Sequence, residues 1–404
     1  MKTVAIISEY NPFHNGHLYQ ISEIRKEYGP KTNIIAIMSG NFTQRGAPAI
    51  MDKWSRAEAA VKCGVNLVLE LPFPYSASSA DFFANAGVHI ANSLGCVDIL
   101  SFGSESGDIT SLSVIAKNLL SDFYSQEIKR LLEDKRYADY GYPAVSEVAY
   151  KNCFGDDASK VIFEPNNILA LEYIKAIEKQ KSGISLHTVK RAGANYSDKN
   201  VVDNTRLQSA RTIRNLIETC DSAKDFMPED AFEVLNDRIF KKKAPSSAER
   251  ASSALLSHFR LSPALFQKEI HDADGGIYNR LRSASFEATD INSLINLSAT
   301  KKYTTARIRR AAWFSFFGVT SSDLRTAPTF SQILAFDTNG QALLKKIKEK
   351  GEITLFTKPS FKPMSDVQIR QKELSDNADF IYQLMLPMPK PASEVYKHSP
   401  FVKK

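Results

Sequence analysis

"TVAIISEYNPFHNGHLYQ", residues 3–20, runs from a β-branched apolar stretch through a polar turn into a helical pattern. The run "TVAIIS" has the composition of a buried strand, and the turn after it carries His14, Gly16 and His17. An α/β sheet binds its ligands at such a strand-to-helix junction. Gly16 lets the backbone approach a phosphate closely, and the helix that follows offers free N–H groups and a positive dipole end. Two imidazoles there can donate hydrogen bonds to a pentavalent phosphorus transition state, so the catalysis is electrostatic and needs no covalent nucleophile. A metal pair is the competing reading. It finds no third ligand nearby except Glu9 and no second His/Cys cluster, so no metal site is expected.

Further strands are expected at 33–39 ("NIIAIMS"), 65–71 ("VNLVLEL"), 97–103 ("VDILSFG") and 184–190 ("ISLHTVK"). Helices are expected over 17–28, 52–63, 80–94, 109–132 and 165–180, and from about residue 208. This alternation predicts an α/β, Rossmann-like parallel sheet over residues 1–220, and the His14–His17 turn within it resembles that of the HxGH nucleotidyltransferases. After about residue 220 the strand signal fades. Residues 221–404 therefore read as a second domain, mainly α-helical and basic, with a proline-rich tail.

Composition supports that division. Hydrophobic residues form 43% and charged residues 24% of 404, which excludes a disordered chain. No apolar run reaches membrane-spanning length and no signal-peptide pattern precedes "KTVAII", so a cytoplasmic protein without a membrane partner is expected. Cys63, Cys96, Cys153 and Cys220 stand far apart and read as buried thiols. The net charge of +7 divides unevenly, −1 over residues 1–200 and +8 over 201–404, which suggests a polyanionic partner for the second half. "KKYTTARIRRAAWFSFF" (301–317) concentrates Lys301, Lys302, Arg307, Arg309 and Arg310, candidates for contacts to RNA phosphates, while Trp313, Phe314, Phe316 and Phe317 read as core. The sequence specifies no oligomeric state.

The other strand ends are equally rich in polar residues. "SGNFTQRG" (39–46) offers Ser39, Asn41, Gln44 and Arg45 as candidates for a carboxylate substrate and the α-phosphate. "SARTIR" (209–214) is similar to the S-S-T-x-I-R element of HxGH nucleotidyltransferases, with Ser209 able to cap a helix and Arg214 able to reach phosphate; Arg211 stands where that element has Thr.

Several long blocks occur in order: "EYNPFHNGHLYQI" (9–21), "MSGNFTQRGAPAIMDKWSRAEAA" (38–60), "NLVLELPFPYSASSADFFANAGV" (66–88), "FGSE" (102–105), "PNNILALEYIKAI" (165–177) and "KRAGANYSD" (190–198). Together they resemble the tRNA(Met) cytidine acetate ligases, a bacterial family within the HxGH nucleotidyltransferase superfamily. The resemblance implies an enzyme that activates acetate with ATP as a substrate, with Mg²⁺, to acetyl-adenylate and pyrophosphate. The acetyl group then passes to N4 of the wobble cytidine of elongator tRNA(Met), giving N4-acetylcytidine and AMP. It further implies catalytic roles for His14 and His17. The implied ATP contacts run along Ile7, Ser8, Glu9, Tyr10, Asn11, Pro12, Phe13, His14, Asn15, Gly16, His17, Leu18, Tyr19 and Gln20, with Gly103, Asn166 and Arg191 beyond them. Asn167 is the alternative to Asn166. The H-x-G-H element alone equally permits a small-molecule nucleotidyltransferase of adenylyl or cytidylyl type, and a non-catalytic nucleotide- and RNA-binding protein is a third reading. Acetate-dependent turnover with tRNA separates the three.

Overall fold

The computed structural model describes residues 1–137, 139–155, 165–191, 207–219, 221–261 and 269–404, with only the backbone of Pro165 and Asn166. Strands β1 (Thr3–Ser8), β2 (Asn33–Ser39), β5 (Leu67–Leu71), β6 (Ile99–Ser104) and β7 (Ser185–Lys190) fall within two residues of the expected spans. They pair in parallel in the order β5-β2-β1-β6-β7. Every residue of β1, β2 and β5 is buried, as continuous apolar runs dictate when both faces of a parallel sheet are covered. The order reverses beside β1, so the crevice beyond the carboxyl ends of β1 and β6 is where the topology places a ligand. Between β2 and β5 the chain makes a small hairpin, β3 (Phe42–Thr43) with β4 (Ala47–Pro48).

Three helices pack around this part of the sheet. α1 (Asn15–Tyr28) begins inside the H-x-G-H element; α2 (Lys53–Lys62) is capped by Asp52, which accepts the Ser55 N–H at 2.8 Å; α3 (Ala80–Ser93) packs across the sheet. The expected single helix over 109–132 is two, Ile109–Leu120 and Asp122–Glu133. Ser121 divides them: its backbone is extended and its hydroxyl caps the second helix by accepting the Tyr124 N–H.

The carboxyl-terminal residues return to the sheet, which the fading strand pattern did not foretell. β8 (Phe330–Phe336) pairs antiparallel with β5, and β9 (Thr354–Phe356) and β10 (Phe401–Val402) both pair with β8. The run "FSQILAF" lacks a clean hydrophobic pattern because its polar residues are inside; the Ser331 hydroxyl donates to the Glu70 carbonyl at 2.6 Å. Ahead of β8 in the chain come helices Ser252–Leu261, Ile277–Glu287, Ile291–Ser298 and Thr305–Phe317. As the sequence suggested, Trp313, Phe314 and Phe317 are core. They meet Phe42 and Phe73, with Trp313 centred 5.3 Å from Phe42 and Phe317 5.0 Å from Phe73, so the helical layer rests on the loops that follow β2 and β5. Among the described residues no helix is long and apolar enough to cross a membrane. Cys63, Cys96 and Cys153 are free and half-buried rather than buried; Cys220 lies outside the described residues.

Candidate active site

The turn after β1 is built by its own histidines. His14 is the N-cap of α1, and its Nδ1 accepts the Gly16 N–H at 3.1 Å. His17, one turn on, accepts the His14 N–H at its Nδ1, also at 3.1 Å. This reciprocal capping box occupies both Nδ1 lone pairs, and a neutral imidazole then carries its proton on Nε2. Each ring is therefore a fixed Nε2–H donor. The rings stack with centroids 3.7 Å apart. Burial, reinforced by the nearby Arg191 and Arg214 guanidiniums, pushes His14 down to about 3, and burial with His14 and Arg191 lowers His17 as well. Gly16 is required sterically, since a Cβ there would lie 2.9 Å from His14 Cε1. Tyr10 precedes the box at φ 44° while buried to 1% exposure, a strained backbone of the kind held at ligand sites.

A cavity of about 520 Å³ opens onto these donors. Of the implied nucleotide segment, Ile7, Ser8, Glu9, Tyr10, Asn11, His14, Gly16, His17, Tyr19 and Gln20 line it. Four others do not: Pro12 and Phe13 are buried behind the turn, the Asn15 side chain donates to the Asp225 carbonyl at 3.0 Å, and Leu18 is exposed. Gly103 and Arg191 line the far wall, where Arg191 Nε stands 3.8 Å from Glu105 Oε1. Asn167 is fully buried and accepts the Glu105 N–H at 3.0 Å, so it fixes the turn after β6. The Asn166 side chain lies outside the described residues, as do residues 192–198 of "KRAGANYSD".

The loop after β2 divides between wall and foundation. Gln44 and Arg45 line the cavity. Ser39 and Asn41 are buried beneath it; Asn41 donates to Asp379 at 2.9 Å and accepts the Lys53 N–H at 2.8 Å. Ser209 caps the helix Ala210–Glu218, and its hydroxyl accepts the Thr212 N–H. Arg214 donates to the Asn11 carbonyl at 2.8 Å, which braces the turn while leaving a positive charge beside His14. Of the RNA candidates, Arg310 reaches the cavity wall and pairs with Asp272 at 2.7 Å. Arg307 pairs with Asp272 and Asp274. Arg309 sits among like charges from Arg45 and Arg211, which add to burial in lowering it, and Lys301 and Lys302 are exposed.

Sequence reasoning missed the buried charges under the site. Lys53 lies within 2.7–2.8 Å of both Glu70 oxygens and 2.7 Å from Asp379, with all three nearly inaccessible to solvent. Arg56, fully buried, donates to the carbonyls of Glu9 at 2.6 Å, Gly40 at 2.5 Å and Met51 at 3.0 Å, and so ties the ends of β1 and β2 together. The detectable signal was Lys53 and Arg56 at helical spacing in a segment otherwise rich in Ala57, Ala59 and Ala60.

A strand order that reverses at β1, with two imidazole donors at the helix that follows, is the arrangement of a nucleotidyltransferase, and the sequence model of the HIGH Nucleotidyl Transferase family matches residues 1–397. The tRNA(Met) cytidine acetate ligase of Acetivibrio thermocellus is 34% identical over 398 residues, 95% of this chain and 94% of that protein. That of Caldanaerobacter subterraneus subsp. tengcongensis is 37% identical over 368 residues, 89% of each chain. The crystal structure of Thermotoga maritima TmcAL bound with alpha-thio ATP superposes with a TM-score of 0.89 at 31% identity, covering 100% of this chain and 99% of that one. The chain belongs to the tRNA(Met) cytidine acetate ligase family of HIGH nucleotidyltransferases.

Proposed function

We propose that this protein is an ATP-dependent acetate ligase that forms acetyl-adenylate and acetylates N4 of the wobble cytidine of elongator tRNA(Met). The observation that carries the reading is the pair of Nε2–H donors fixed by the reciprocal cap of His14 and His17, facing a cavity with Arg45, Lys190, Arg191 and Arg310 in its wall. Acetate is already a nucleophile. Attack on the α-phosphorus needs alignment and neutralisation of the charge that builds on the phosphoryl oxygens. The histidines and the amides of α1 supply these at the α-phosphate, and the cations hold the pyrophosphate as it leaves.

Gly103 and Arg191 lie where ribose and phosphates of ATP would rest beyond β6, and Gln44 and Arg45 face the acetate side. Among the described residues no group of three metal ligands exists, and Glu9 is the only carboxylate in the cavity wall. Mg²⁺ in this reading arrives on the triphosphate, held by its oxygens. The basic helical layer, with Lys301, Lys302, Arg307, Arg309 and Arg310, would contact the tRNA backbone and bring the anticodon to the cavity, in a cytoplasmic protein. The test is ATP–pyrophosphate exchange with the purified enzyme. Exchange that requires acetate supports the reading, and exchange that instead requires a phosphorylated small molecule points to an ordinary nucleotidyltransferase.

A further inference from the structure

Transfer of an acetyl group to an amine releases a proton, and the cavity offers few places for it. Both histidines have spent Nδ1 on the backbone, so each faces the ligand only as a donor. Lys190, Arg45, Arg191 and Arg310 carry hydrogen-bond donors and no acceptor. Glu9, at the end of β1, is the only carboxylate among the described residues of the wall. Its Oε1 accepts the Gln44 N–H at 2.9 Å, which locks the side chain across the gap between the loops after β1 and β2. Oε2 carries no hydrogen bond to a described residue.

We propose that Glu9 Oε2 is the general base of the transfer step, a role that rests on the ligase reading above. The N4 amine attacks the carbonyl carbon of acetyl-adenylate and the C–N bond forms. The C–O bond to the phosphate breaks and its electron pair leaves with AMP. The surplus N4 proton passes to Glu9 Oε2, which returns it to solvent when the products depart. The exocyclic amine of cytosine is a weak nucleophile, so removing its proton as the bond forms is where a positioned carboxylate contributes.

The test is Glu9→Gln, whose amide oxygen can still accept the Gln44 N–H. Single-turnover transfer from preformed acetyl-adenylate to tRNA should fall by roughly 10²–10³, a far larger loss than the same variant imposes on acetate-dependent ATP–pyrophosphate exchange. Unchanged transfer overturns the assignment. So does a parallel loss of exchange and transfer at an unchanged melting temperature, since Glu9 would then only shape the loop. Glu9→Ala, which also removes the acceptor for Gln44, should lose exchange in addition; if Glu9→Ala keeps wild-type transfer, the base lies elsewhere. A wild-type enzyme that neither exchanges nor transfers refutes the ligase reading itself, and that result appears before any variant is made.

Discussion

His14 and His17 stack 3.7 Å apart while His17 accepts the backbone N–H of His14, so each ring is held both by its neighbour and by the turn it caps. Two donors are thereby fixed in tautomer and direction before any ligand arrives, and no reorganisation is needed as charge develops. Replacing either ring removes one transition-state donor. His14→Asn or His17→Asn should lower acetate-dependent pyrophosphate exchange by roughly 10²–10³ with little change in tRNA affinity measured by filter binding. Loss of tRNA binding together with exchange would mean that the pair only holds the fold.

The same geometry sets a pH dependence. The ordinary value for histidine is 6.5, and His14 in the fold is pushed down to about 3 by burial and by the neighbouring arginines. Between those values the unfolded chain takes up a proton that the native chain refuses. Stability is therefore full above pH 6.5 and declines as pH falls toward 3, at no more than about 1.4 kcal/mol per pH unit for one such group. Urea midpoints at pH 7.5 and 5.0 should differ in this sense, and His14→Asn should flatten the difference. Equal midpoints for the wild type contradict the assignment.

Arg45 lies in the cavity wall at the tip of the β3–β4 hairpin, beside the glycine whose Cβ would lie 2.9 Å from the Arg310 backbone nitrogen. Arg45→Ala should reduce acetyl-adenylate formation well beyond tenfold, since a charge-assisted contact to a phosphate or carboxylate is lost. Unchanged exchange kinetics would remove Arg45 from the site.

Asp379 comes from the helix Asp366–Leu384 and shares Lys53 with Glu70 inside the protein. Deleting Asp379 leaves Lys53 and Glu70 as a balanced pair, and the cost is the lost charge-assisted hydrogen bond from Lys53 together with the stranded Asn41 amide, about 2–3 kcal/mol. Asp379→Ala should lower stability by that order in urea unfolding. Asp379→Asn should lower it by less, because the new amide oxygen can still accept from Asn41. A neutral effect would show that Lys53 is not held there.

Legibility followed chemistry and failed where burial concealed it. The strand "TVAIIS" and the cap-forming histidines announce themselves because a β-branched run and a Gly-containing turn have local causes. β8 does not, because Ser331 and Gln332 are buried polar residues whose burial is settled by Glu70 and the rest of the sheet. Asn41 and Arg214 looked like substrate contacts, being polar residues in a site loop and in a basic helix. Their side chains bond Asp379 and the Asn11 carbonyl, partners 338 and 203 residues away, which no local pattern encodes. The reciprocal cap was hidden for a different reason: a histidine in the N-cap position is not among the usual capping residues.

Binding of tRNA should be carried by charge. Lys301 and Lys302 are exposed at the entrance to the helix Thr305–Phe317. The double variant Lys301→Ala, Lys302→Ala should reduce the slope of log K against log salt by about 1–2 while exchange in the absence of tRNA is unaffected. An unchanged slope places the tRNA on another face.

The most direct measurement is incubation of the enzyme with ATP, labelled acetate and total tRNA, followed by digestion and nucleoside analysis. Label is expected in N4-acetylcytidine, confined to the elongator tRNA(Met) and dependent on ATP, with its initial rate lowered by roughly 10²–10³ by His17→Asn. Pyrophosphate release without labelled nucleoside, or label that appears equally with the His17 variant, would contradict the ligase assignment.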